Sequence, residues 1–110
     1  MSENEEITVV IDLDRIPEGI GHVRQNKTHK GVYNHRVYMP EDYDKLFNWV
    51  ADQIGGLQDV RLNIQGSLPN WMMMGLQGDF MEDPRVVSIL HSKFGDCPTE
   101  IWNVENGVVL

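Results

Sequence analysis

The chain has 110 residues, which fits one domain with one modest core. A net charge of −8 argues against a general nucleic-acid binder and against docking on an anionic membrane. The lone cysteine, Cys97, excludes an intrachain disulfide and a multi-cysteine zinc site, and a cytoplasmic setting is the expectation.

Residues 1–5 read as a disordered acidic tail, followed by a single globular domain over 6–110. Ile7 to Leu13 reads as a first strand, β-branched and compact. Pro17, Gly19 and Gly21 then mark a turn. From Gly19 to Pro40 there is no Asp or Glu, while Arg24, Lys27, Lys30 and Arg36 sit there with three of the four histidines. That stretch carries about +4 against about −12 for the remainder, and it reads as a basic loop running into a strand. A segregated basic stretch suits an anionic ligand, an acidic patch on another subunit, or simple solvation. Val32 to Met39 reads as the second strand, with Tyr33, His35, Val37 and Met39 as its more buried face.

Glu41 to Ile54 has helical spacing of Tyr43, Leu46, Phe47, Val50 and Ile54, with Pro40 before it and Gly55-Gly56 after. Trp49 falls off that stripe, at the rim of the core. Val60 to Gln65 alternates and reads as a third strand, stopping at Gly66. Ser67 is then placed to cap a short helix over Asn70 to Leu76, with Pro69 in its first turn. The run Met72 to Met74 predicts burial of that helix on more than one side. Asp83-Pro84-Arg85 predicts another helix, with Val86, Val87, Ile89, Leu90 and Phe94 on its apolar face and Gly95 closing it. Thr99 to Val104 predicts a strand, and Glu105-Asn106-Gly107 a hairpin turn into Val108 to Leu110. The order is β β α β α α β β. It predicts an α/β fold, with α+β as the alternative: a mixed sheet of about four to five strands with about three helices on it.

A strand, a tight turn and a helix N-terminus over Val60 to Asp79 leave backbone N–H groups pointing one way, which suits an anion. No metal-ligand spacing, Walker sequence, GxGxxG or GxSxG occurs, so neither a metal nor a cofactor is expected. Cys97 reads as structural rather than as a nucleophile, since no base neighbours it in sequence. A second polar passage runs from Leu90 to Pro98, and the crevice between helices and strand ends is where open α/β folds bind ligands.

Two kinds of fragment carry a family resemblance. Gly66-Ser67-Leu68-Pro69-Asn70-Trp71 after an apolar strand, with the later Asp83-Pro84-Arg85, resembles one family of small accessory proteins of type III CRISPR systems. Leu90-His91-Ser92-Lys93-Phe94-Gly95, with Pro98, resembles the Leu-His-Gly-Arg-x-Gly-x-x-Pro ending of another. The resemblance implies a cyclic oligoadenylate ligand in antiviral defence, and a ring nuclease that cuts it without a metal through its own ribose 2′-OH. It implies a homodimer or higher homo-oligomer around the symmetric ring. On this reading Gly66 and Asn70 hold phosphate and Trp71 stacks on a base. Ser67, His91 and Lys93 carry the cut, and His22, Arg24, Lys27 and Arg36 close over the ring. Gln77 to Phe80 lacks the histidine that the first family carries after its Trp helix. That keeps two alternatives in view: a cyclic-nucleotide sensor or sponge that does not cut, and an oligomerising interaction protein.

Overall fold

The computed structural model describes residues 6–93 and 97–108. The expected tail over 1–5, the Phe94-Gly95-Asp96 end of the expected third helix, and Val109 and Leu110 lie outside them. Strand β1 is Ile7–Asp12 and leads into a single 3₁₀ turn at Leu13–Arg15. Strands β2 (His22–Thr28) and β3 (Gly31–Val37) form a hairpin, and helix α1 follows at Asp42–Ile54. Strand β4 (Val60–Gln65), helix α2 (Asn70–Met81), and strands β5 (Val86–Ser92), β6 (Thr99–Asn103) and β7 (Gly107–Val108) complete the chain. The main sheet has the order β1-β4-β5-β6-β7, with β1, β4 and β5 parallel and β6 and β7 antiparallel. The fold is a small mixed α/β domain.

Both helices cover one face of this sheet. Leu46, Val50 and Ile54 of α1, and Met72, Leu76 and Phe80 of α2, are fully buried with Ile11, Leu62 and Ile64 beneath them. The rings of Phe47 and Phe80 stack at 5.0 Å and so close the seam between the helices. Helix α2 runs well past its expected end at Leu76. Gly75 and Gly78 each cost about 1 kcal/mol of helix propensity, but Met72, Leu76 and Phe80 repeat at four-residue spacing, and their burial outweighs that cost. The methionine run is not buried all round. Met72 is buried, Met73 half-buried and Met74 71% exposed, because only one side of α2 meets the sheet.

The expected third helix is strand β5. Asp83 does not cap a helix. Its carboxylate accepts from the Arg85 backbone N–H and side chain, while Arg85 Nη1 donates to the Gly55 carbonyl at 2.6 Å. The turn therefore ties the end of α1 to the start of β5. The helical spacing was produced by a bulge. The register slips between Val60 and Arg61, so that Val86 pairs with Val60 but Ser88 with Arg61. One extra residue changes a period of two into a step of three, from Val86 to Ile89, which imitates a helix.

The basic stretch is likewise no loop. Residues 22–37 form a two-stranded ribbon, with Val23 opposite Arg36 and Lys27 opposite Val32. Its supposed inner face is not buried: Tyr33 is 52% exposed and His35 only half-buried. Among the described residues, nothing but the ribbon itself packs along most of its length. The molecule extends 60 × 26 × 20 Å, with a radius of gyration of 15.4 Å, against about 13 Å for a compact chain of this length. The ribbon is an arm.

Candidate functional site

The turn after β4 is built around Gly66. Its φ of +120° is open to glycine and rarely to other residues. A Cβ there would meet the Leu13 side chain at 2.8 Å, so the turn lies directly against the end of β1. The Gly66 N–H donates to the Ser92 carbonyl at 2.8 Å, and His91 Nε2 donates to the Gly66 carbonyl at 3.0 Å. A carbonyl only accepts, so the His91 proton sits on Nε2. Strand β5 thus grips the turn from behind. Ser67 does not cap α2: Pro69 occupies the N-cap position and offers no side-chain hydrogen bond. Among the described residues, the N–H groups of Ser67, Leu68, Asn70 and Trp71 meet no partner. Four donors are therefore left at the positive end of α2.

In front of the turn lies a cleft of about 720 Å³. The ends of β1 and β4 form its floor, through Asp12, Leu13, Asp14 and Gln65 to Pro69. The foot of the arm forms its wall, through Val23, Asn34, His35, Arg36 and Tyr38. Arg36 is pinned there by a 2.9 Å bond from Nη1 to the Ile20 carbonyl. Burial pushes the Tyr38 phenol up, and the neighbouring guanidinium offsets part of the effect. The Asp12 carboxylate accepts from the Asp14 N–H at 3.0 Å and lies 3.5 Å from Arg15 Nε. Cationic wall, amide donors and carboxylates therefore border one crevice, beyond the C-terminal ends of parallel strands.

The arm is seated by its feet. Asp42 lies at the start of α1 and is only 6% exposed. Its carboxylate accepts from the Met39 N–H at 2.7 Å and also from the Gly21 N–H, and these bonds hold it below the usual carboxylate range. One side chain thus binds the chain on both sides of the arm. Gly21 has φ +70°, and a Cβ there would lie 2.9 Å from the Val37 carbonyl oxygen.

Compared with family models, curated proteins and solved structures, the chain finds no significant match. The site therefore rests on its geometry.

That geometry brings together some expected residues and separates others. Gly66, Ser67 and Arg36 border the cleft. Asn70 and Trp71 sit one turn away, both exposed. His91 supports the turn from outside the cleft, and Lys93 is exposed beyond the end of β5. His22 and Arg24 pair with Val37 and His35, so they occupy the arm face opposite to Arg36. Lys27 shares the Arg36 face but lies near the tip. Cys97 is exposed. Among the described residues no group of three metal-ligating side chains exists. No helix among them is long and apolar enough to cross a membrane.

Asp12, Asp14, Asn34, His35 and Tyr38 border the cleft without having been singled out as its lining. Asp12 and Asp14 had a legible signal, since an acidic pair directly after a first parallel strand belongs at the ligand-binding edge.

Proposed function

We propose that the cleft binds a cyclic oligoadenylate of type III CRISPR signalling and retains it intact, as a sensor or sink. One observation supports this most: Ser67 and Leu68, whose N–H groups are free just before α2, border a single cleft with Arg36, Asp12 and Asp14. Amide donors and guanidinium suit phosphate oxygens. Carboxylates suit ribose hydroxyls, as the acidic residue of dinucleotide folds does. Trp71, 46% exposed in the first turn of α2, is free to stack on a base. A ring of several nucleotides exceeds one cleft of about 720 Å³, so the proposal pairs two copies about the ring axis.

Retention is favoured over cutting by the placement of the two strongest expected catalysts. His91 is committed to the Gly66 carbonyl and Lys93 does not border the cleft. In this reading His91 is a positioning residue that holds the turn.

Radiolabelled cyclic tetra-adenylate incubated with the protein tests the proposal. The label is expected to be retained and recovered as the intact ring. Arg36→Ala is expected to weaken retention by about 10- to 100-fold, the loss of one charge-assisted hydrogen bond. Linear products would replace retention with cleavage. Failure to hold any cyclic nucleotide would sink both readings.

A further inference from the structure

Only one face of the main sheet is covered by helices. On the other face Val10, Asn63 and Leu90 lie side by side across three strands, with Arg61 beside Ser88 in the next row. Two polar atoms there have no partner among the described residues, although their own residues are nearly inaccessible. They are Asn63 Oδ1 and Ser88 Oγ, on residues 6% and 4% exposed. A buried polar atom without a partner costs about 1–3 kcal/mol, so its presence points to a missing neighbour.

Ser88 opens into a notch of about 360 Å³ toward the β6–β7 hairpin. Glu6, Glu100 and Glu105 border it against a single cation, Arg61, whose Nε lies 3.4 Å from Glu6. Among the described residues, Glu100 is engaged only by the neutral Asn103 amide at 2.9 Å. The notch is therefore acidic, hydrogen-bonding and only partly neutralised. Val104, 63% exposed, borders it, and Val10, 50% exposed, lies on the same sheet face.

The arm has the complementary chemistry. No acid occurs from Gly19 to Pro40. Arg24, Lys27 and Lys30 make no ion pair among the described residues. Val32 and Tyr33 are more than half exposed. A two-stranded ribbon is at best marginally stable alone, so an uncovered arm of this length is incomplete as it stands. Within its own chain the arm projects from the cleft wall, on residues that do not border the notch.

We propose that the occupant of this notch is a second copy of this chain, whose arm tip places Lys27 and Lys30 among the notch carboxylates beside Ser88. The contact uses the tip of the arm and leaves its foot at the cleft free. It is independent of the nucleotide reading, and its test needs no nucleotide.

Light scattering and sedimentation of three proteins provide the test. The unmodified chain is expected to self-associate. A Lys27→Glu/Lys30→Glu variant and a Glu100→Lys/Glu105→Lys variant are each expected to lose self-association by about 100-fold, through like-charge contact. Mixed together, the two variants are expected to reassociate, since the acidic arm of the first meets the basic notch of the second. Circular dichroism of each variant separates lost association from lost folding. Three results would overturn the proposal: an unmodified chain that stays monomeric at high concentration, association indifferent to both charge reversals, or folded variants that remain monomeric when mixed.

Discussion

The arm and the body are both made largely of β-strand, yet they are held together by opposite means. Strand β4 is fixed by burial, with Val60, Leu62 and Ile64 wholly inaccessible beneath two helices. Strands β2 and β3 bury almost nothing and are held by their own ladder and by contacts at their feet. Those contacts are few: the Asp42 carboxylate on the Gly21 and Met39 N–H groups, and Arg36 on the Ile20 carbonyl. The body is therefore an apolar, cooperative object. The arm is a polar one whose attachment depends on charge and hydrogen bonding, and such attachments answer to salt, pH and partners.

The largest effect expected from this contrast is on global stability. Phe80 is fully buried and stacks on Phe47. Phe80→Ala should cost about 3–5 kcal/mol, from lost transfer energy and the cavity left behind. Val32, 56% exposed on the arm, should change by about 0.5 kcal/mol or less when cut to alanine. Urea denaturation of both variants in dilute solution makes the comparison. Similar losses would mean that the arm shares the cooperative unit of the body, and the contrast would fail.

The same contrast explains what was legible in the sequence. Hydrophobic periodicity reports a buried face, not a strand as such. Strand β4 has one buried face along its whole length, and its expected bounds, Val60 to Gln65, are the observed ones. Helix α1 is equally plain, because its stripe meets the core. The arm has no buried face, so His22 to Thr28 carries no alternation to read, and its basic composition resembles a loop. Strand β5 fails for a different reason. It is buried on both faces, and its bulge spaces the apolar residues like a helix. The β-branched Val86, Val87 and Ile89 were the contrary signal. At the cleft, the glycine turn and Arg36 were legible as chemical types. Their meeting with Asp12 and Asp14 was not, since it depends on where the arm leaves the sheet.

Acid should separate the two regions. The Met39 and Gly21 N–H groups hold the Asp42 carboxyl low, and the Arg85 side chain does the same for Asp83. Each group binds its proton less readily folded than unfolded. Each therefore contributes stability that is complete above the unfolded value of about 4 and lost as pH falls through the lower folded value. The consequences differ by place. Protonating Asp42 loosens the feet of the arm, whereas protonating Asp83 loosens the clamp from Arg85 to Gly55 in the body. Below about pH 4, exchange of arm amides, corrected for the intrinsic rate, should accelerate before that of β4 amides. Asp42→Asn should produce the same acceleration at neutral pH with little shift in the global midpoint. Arm and body amides that accelerate together would show that Asp42 serves the body instead.

A modest effect concerns the junction between the regions, and it separates support from chemistry. Among the described residues, His91 reaches the cleft only through its 3.0 Å bond to the Gly66 carbonyl. His91→Ala removes that bond, worth about 0.5–1.5 kcal/mol net, and releases the turn on the side where strand β5 holds it. Stability should fall by that amount, and nucleotide retention should weaken modestly because the N–H donors lose their fixed direction. Replacing the imidazole with a side chain that can still donate, as in His91→Gln, should restore part of both losses, since only a donor is needed. A residue that moved protons would behave otherwise. Its glutamine variant would be as inactive as its alanine variant in a cleavage assay, while retention stayed unchanged. Measuring retention, cleavage and unfolding for the two variants side by side decides whether His91 acts on the ligand or only on the glycine turn in front of it.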